Sequence, residues 1–188
     1  MPRVLVPLAP GFEEIEAVTI IDVLRRGGVD VTVAGVHGPG SVEGAHGIAL
    51  GAEAGLATVR DQDFDMLILP GGEPGVTHLA GDAALQALVA RRMRAGLGLG
   101  AICAAPRILA EAGFLHGRPA TSHPSVEAAL RAGGARYDDV RRVVRDGALV
   151  TSRGPGTALE FALEVLEMLG LGERAGRLRQ AMLAAPPA

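Results

Sequence analysis

The chain has 188 residues, 48% of them hydrophobic, with a formal net charge of −3. This suits one domain over residues 1–188 with a substantial core, and excludes disorder as the main state. The 18 basic residues are all arginine and are scattered, which excludes a catalytic lysine and an obligatory nucleic-acid partner. One cysteine makes no internal disulfide, and no leader or membrane-length apolar run is evident. The cytoplasm is the expected address, with no membrane partner.

The chain opens with the apolar run Val4-Leu5-Val6-Pro7-Leu8, a predicted helix from Glu13 to Arg26, and a second run, Val31-Thr32-Val33-Ala34. That is a β-α-β unit. The segment from His37 to Gly47 is rich in glycine and reads as a mobile or tightly turning loop. Met66-Leu67-Ile68-Leu69 is a buried strand, Asp82 to Arg94 a helix, Leu97 to Ile102 a strand and Ala104 to Ala112 a helix. Arg136 to Asp146 reads as an exposed strand or turn on the rim. Ala148 to Thr151 is a strand, Arg153 to Gly156 a turn and Thr157 to Leu169 a helix, which Thr157 and Glu160 would open as a capping box. The tail Ala184 to Ala188 is expected to fray. Uncharged strands alternating with helices predict an α/β fold with a mostly parallel sheet covered on both faces.

In such a sheet, ligands sit beyond the carboxyl ends of the strands. Cys103, in Gly100-Ala101-Ile102-Cys103-Ala104-Ala105-Pro106, falls there between a strand and a helix. The helix dipole and free amides would favour the thiolate. Position alone also permits an inert buried cysteine. Leu69-Pro70-Gly71-Gly72-Glu73-Pro74-Gly75 follows another buried strand. The loop around Gly71 and Gly72 could join the Ala104 amide in an oxyanion pocket, or be an ordinary turn. Glu13 and Glu14 suit a first helical turn and need no further role. Glu16 is either part of a solvent stripe with Thr19, Asp22 and Arg25, or an enclosed carboxyl whose raised pKa suits proton transfer. The apolar girth of its helix points to burial against both the sheet and another subunit. His123, in Thr121-Ser122-His123-Pro124, is an exposed loop residue or a proton relay. The other histidines show no metal spacing with Cys103, so no metal site is expected. Gly96-Leu97-Gly98-Leu99-Gly100-Ala101 formally fits a dinucleotide fingerprint, but its glycines enter a strand instead of opening a helix, so no nucleotide cofactor is implied.

The stretches LAPGFEEIEAV, DVLRRGGVDVTVAG, LPGG, AICAAP, SHP and TSRGPGTALEFAL together resemble the ThiJ/PfpI superfamily, in the branch of the parkinsonism-associated deglycase. The resemblance implies a flavodoxin-like three-layer α/β sandwich, a homodimer and a cofactor-free reactive cysteine. By motif match that cysteine is Cys103, Glu16 is the glutamate bonded to it and His123 the neighbouring histidine. Gly72 and Ala104 would supply amides, Arg26 would belong to the dimer contact near the pocket, and Arg153 would shape that region. The implied activity is glutathione-independent conversion of methylglyoxal or glyoxal to hydroxy acids, or release of early glycation adducts, with small α-oxoaldehydes or glycated groups as substrates. A redox-responsive or chaperone role through cysteine oxidation is the alternative. Ala104 stands where peptidase-like relatives carry histidine, and Ser125 where amidotransferase relatives carry glutamate two residues after the histidine. Both disfavour peptidase or amidase chemistry.

Overall fold

The computed structural model describes residues 1–184, so the expected frayed tail lies outside the described residues except for Ala184. In chain order the elements are β1 (Arg3–Leu8), α1 (Glu14–Arg26), β2 (Asp30–Gly35), β3 (Gly40–Glu43), β4 (Ala49–Ala52), β5 (Ala54–Gly55), α2 (Leu56–Val59) and β6 (Met66–Leu69). They continue with α3 (Gly75–Gly81), α4 (Ala83–Ala95), β7 (Gly98–Ile102), α5 (Pro106–Glu111), β8 (Pro119–Ala120) and α6 (Glu127–Ala132). The last are β9 (Arg136–Tyr137), β10 (Val143–Asp146), β11 (Leu149–Ser152), α7 (Ala158–Met168) and α8 (Gly172–Ala181).

Seven strands form one sheet in the order β10-β11-β7-β6-β1-β2-β5. All pairings are parallel except β10 with β11, which are antiparallel at the edge. Strand alternation sends Val4, Val6 and Leu8 to one face, where Ile20, Leu24 and Phe161 bring α1 and α7 against them. Leu5, Leu67 and Leu99 point the other way, onto Leu85, Val89 and Ile108 of α4 and α5. Helices thus cover both faces, the expected flavodoxin-like sandwich. Gly98 and Gly100 lie inside β7. A Cβ on Gly100 would come within 2.7 Å of Ile68 and 2.9 Å of Phe161, so that glycine serves close packing, not phosphate binding. Among the described residues, no helix is long and apolar enough to cross a membrane.

Three local expectations are corrected. The glycine-rich stretch after His37 is no mere loop: β3 and β4 pair antiparallel as a hairpin whose tip packs on the start of α1. The Thr157–Glu160 capping box does not form. Thr157 Oγ1 accepts instead from the Gly154 amide (3.0 Å), and Glu160 pairs with Arg142 (2.8 Å). The helix after Cys103 begins only at Pro106 and has six residues.

Candidate active site

The chain moves outward from β1 to β2, then crosses back to build β6, β7 and β11 on the other side. The carboxyl ends of β1, β6 and β7 flank this reversal, where an α/β sheet leaves a crevice. Three segments meet there: the start of α1 with Glu16, the loop after β6 with Gly71 and Gly72, and the turn after β7 with Cys103.

Cys103 occupies the left-handed region, with φ of 63°, a conformation an L-residue enters at a cost of about 1 kcal/mol. Its backbone is fixed on both sides: its amide donates to the Ser152 carbonyl (2.9 Å), and its carbonyl accepts from the His123 amide (2.9 Å). The thiol is half-buried, so it is neither sealed in the core nor freely solvated.

Glu16 is fully buried. Its Oε2 accepts from the Gly71 amide (2.7 Å), the carboxyl group interacts with the Cys103 thiol, and Oε1 is left without a hydrogen-bond partner. The contact leaves no space between the segments. A Cβ on Gly71 would lie 2.5 Å from Cys103 Cβ and 2.7 Å from Glu16 Oε2. Gly72, with φ of 94°, turns its backbone back against Phe12 and Glu13.

Burial raises the Glu16 pKa to about 7, helped by the negative charge of Glu13 and opposed by the Gly71 amide and the thiol. Burial also raises the Cys103 pKa, to about 12, with the charge and hydrogen bond of Glu16 adding to it. Amides of Ala104 and Gly72 pull the thiol down, as the sequence predicts, but are outweighed. A standing thiolate is therefore not the resting state: two adjacent enclosed anions repel, so near neutral pH the thiol keeps its proton while Glu16 is only partly ionised. Glu16 is then a base able to take the thiol proton as sulfur attacks, with both amides stabilising charge on sulfur.

The remaining residues separate by position. The Nδ1 of His123 accepts from the Ser125 amide (3.2 Å) and hydroxyl (2.8 Å), so no carboxylate orients the imidazole. His123 is an exposed rim residue that neighbours Cys103 through the backbone and borders Gly154, beside the sulfur. Arg153 bonds to the Asp139 carbonyl and precedes Gly154, so it shapes the rim through the backbone. Arg26 does not reach this chain's pocket. It pairs with Asp22 (2.7 Å) and lies ten residues beyond Glu16, about 15 Å along the helix axis.

Glu14 has a role that sequence reasoning missed. Its buried carboxylate accepts from the amides of His46 (2.6 Å) and Ile48 (3.3 Å) and meets the His46 ring (2.9 Å). Burial opposes its charge, yet these bonds lower its pKa to about 2. It anchors the hairpin tip to α1. Donor atoms of Glu13, Glu14 and His46 lie within 4.8 Å of one another, a grouping that could hold a metal ion, although the bonds to Glu14 already account for it as an anchor.

Comparison with known proteins gives the family. The DJ-1/PfpI family profile matches residues 2–168. Protein dj-1beta of Drosophila melanogaster is 42% identical over 182 residues, covering 96% of both chains. Its crystal structure superposes with a TM-score of 0.94 over 98% of this chain and 99% of that one, at 39% identity. A Caenorhabditis elegans protein named glutathione-independent glyoxalase DJR-1.2 is 38% identical over 88% of this chain and 87% of its own. The structure of oxidized Toxoplasma gondii DJ-1 matches with a TM-score of 0.92, at 36% identity, over 99% of this chain and all of that one. With a profile match over most of its length and full-length relatives at this identity, the chain belongs to the DJ-1/PfpI family.

Proposed function

We propose that this protein is a cofactor-independent enzyme acting on reactive α-oxoaldehydes such as methylglyoxal. The observation that carries this reading is the fully buried Glu16 carboxyl, of pKa about 7, coupled to a half-buried thiol with two backbone amides on its sulfur. The C. elegans relative's name supports it.

Sulfur adds to the aldehyde carbon while Glu16 takes the thiol proton, which passes to the former carbonyl oxygen, giving a hemithioacetal. Glu16 then removes the hydrogen from that carbon and returns it to the adjacent one through an enediol. The product is a thioester on Cys103, which water cleaves to lactate, or to glycolate from glyoxal. No net oxidation occurs, so no redox partner is required. On a glycated amine or thiol, sulfur instead displaces that group from the hemiaminal or hemithioacetal carbon, the thiol proton leaves on it through Glu16 to free the original side chain, and the same hydrogen transfer and hydrolysis follow.

Lactate formation from methylglyoxal without glutathione, lost in both Cys103→Ser and Glu16→Ala proteins of unchanged circular dichroism, is the expected result. Normal turnover in both variants overturns the mechanism. Peptide hydrolysis is disfavoured because Ala104 follows the thiol and Ser125, not a carboxylate, holds His123.

The oxidized T. gondii relative favours a second reading, in which peroxide converts Cys103 to a sulfinate that accepts a hydrogen bond from protonated Glu16 and bonds from the two amides, altering what the protein binds. A selective two-oxygen adduct by mass spectrometry, together with negligible oxoaldehyde turnover, would favour it over the first.

A further inference from the structure

The backbone amides of Gly72, after β6, and Ala104, before α5, both favour charge on the Cys103 sulfur, and they belong to separate segments. Their separation must be held if both are to stabilise charge on sulfur or on an adjacent oxygen. The β6–α3 loop is tied to the α1 side by backbone bonds: the Glu13 amide donates to the Gly71 carbonyl (2.9 Å), and the Gly75 amide to the Gly11 carbonyl (3.1 Å). Toward α5 the polar tie is made by side chains. Arg107 Nη2 donates to Glu73 Oε1 (3.0 Å) and to Thr77 Oγ1 (3.2 Å), and the Thr77 hydroxyl in turn donates to Glu73 Oε2 (2.8 Å). Arg107 sits on the first turn of α5, and its amide donates to the Ala104 carbonyl (3.1 Å). Its side chain is only 25% exposed.

We propose that Arg107 is a positioning residue: through Glu73 and Thr77 it clamps the Gly71–Gly72 loop to the turn carrying Cys103 and Ala104, fixing the distance between the two amides that face the sulfur. Neither Arg107 nor Glu73 touches the thiol in this arrangement. The charged groups that do face it or border it, Glu16 from α1 and His123 from the loop after β8, are untouched by changes to the clamp. The catalytic consequence rests on the oxoaldehyde reading. The effect on the thiol does not.

The test compares Arg107→Met, Arg107→Lys, Glu73→Gln and the double variant Glu73→Gln/Arg107→Met in the full chain. Two quantities are read: kcat and KM on methylglyoxal, and the rate of Cys103 alkylation by iodoacetamide at one fixed pH. Arg107→Met is expected to lower kcat about tenfold with KM within about twofold, less than the 10²–10³ loss when an oxyanion donor is deleted outright. Its alkylation slows, because a displaced Gly72 amide no longer favours the thiolate. Arg107→Lys recovers part of both effects, and the double variant is no worse than either single one. Thermal stability changes little, since a partly exposed ion pair contributes little to folding. Unchanged kcat and alkylation in Arg107→Met, or additive effects in the double variant, overturn the clamp. If the native protein turns over no oxoaldehyde, the proposed function falls and the alkylation rate alone decides. If Arg107→Met does not fold, Glu73→Gln carries the same two readings.

Discussion

Replacing Glu16 with glutamine isolates the energetic consequence of burying an acid in the crevice. In the native protein this carboxyl titrates at about 7, against an ordinary value of 4.5. Between those values the folded state holds a proton that the unfolded state has released, so stability contributed at low pH is lost as pH rises from 4.5 through about 7. Moving one carboxyl this far corresponds to about 3 kcal/mol, and because Glu16 is fully buried no discount for solvent screening applies. Glutamine keeps the shape and removes the titration. Urea unfolding of both proteins at intervals from pH 4.5 to 8 should therefore show the native protein losing about 3 kcal/mol relative to Glu16→Gln across that window. Glu14, whose pKa lies at about 2, titrates below the window, and the raised His46 is present in both proteins and cancels. A stability difference that stays flat from pH 4.5 to 8 would refute the assignment of Glu16 as an enclosed, proton-holding acid.

Two further outcomes test the geometry. Gly71→Ala places a methyl group 2.5 Å from Cys103 Cβ and 2.7 Å from Glu16 Oε2; about 1–3 kcal/mol of overpacking and at least a tenfold slower reaction of Cys103 with iodoacetamide are expected. Alkylation at the native rate would mean that the contact is not needed. On the exposed side of α1, Ile15 and Val18 are 58% and 43% exposed, and Ile48 on the hairpin is 57% exposed. We infer that a second copy covers this face. The native protein should then elute as a dimer in light-scattering chromatography and Ile15→Glu/Val18→Glu as a folded monomer, whereas a monomeric native protein excludes the pairing.

The framework was legible because its strands carry their own signal. Met66–Leu69 and Leu97–Ile102 contain no charged residue, and the α1 and α4 patterns repeat with helical spacing, so those elements emerged with bounds off by one residue at most. The β3–β4 hairpin offered no such pattern. Gly40–Glu43 buries one residue in four, and its pairing is fixed by partners six to twelve residues away, not by an apolar run. The helix Gly75–Gly81 was hidden by glycines at both ends.

At the site, the place of Cys103 and the choice of Glu16 could be read from position and motif. The function of Glu14 could not, since an acid in a first helical turn has a sufficient local explanation and its partners come from the hairpin. The direction of the thiol's pKa was missed for a related reason: the amides and helix start are local, whereas the opposing burial and the Glu16 charge exist only after distant segments meet.

Because acid and sulfur arrive from opposite sides of the reversal in strand order, neither half of the polypeptide holds a competent pair. Until the strands between them have assembled, Cys103 is an ordinary thiol of the nascent chain, open to the unselective reactions of any cysteine. Its distinctive behaviour toward an electrophile is thus acquired only with the finished sheet, which makes labelling of this one sulfur a direct reporter of maturation.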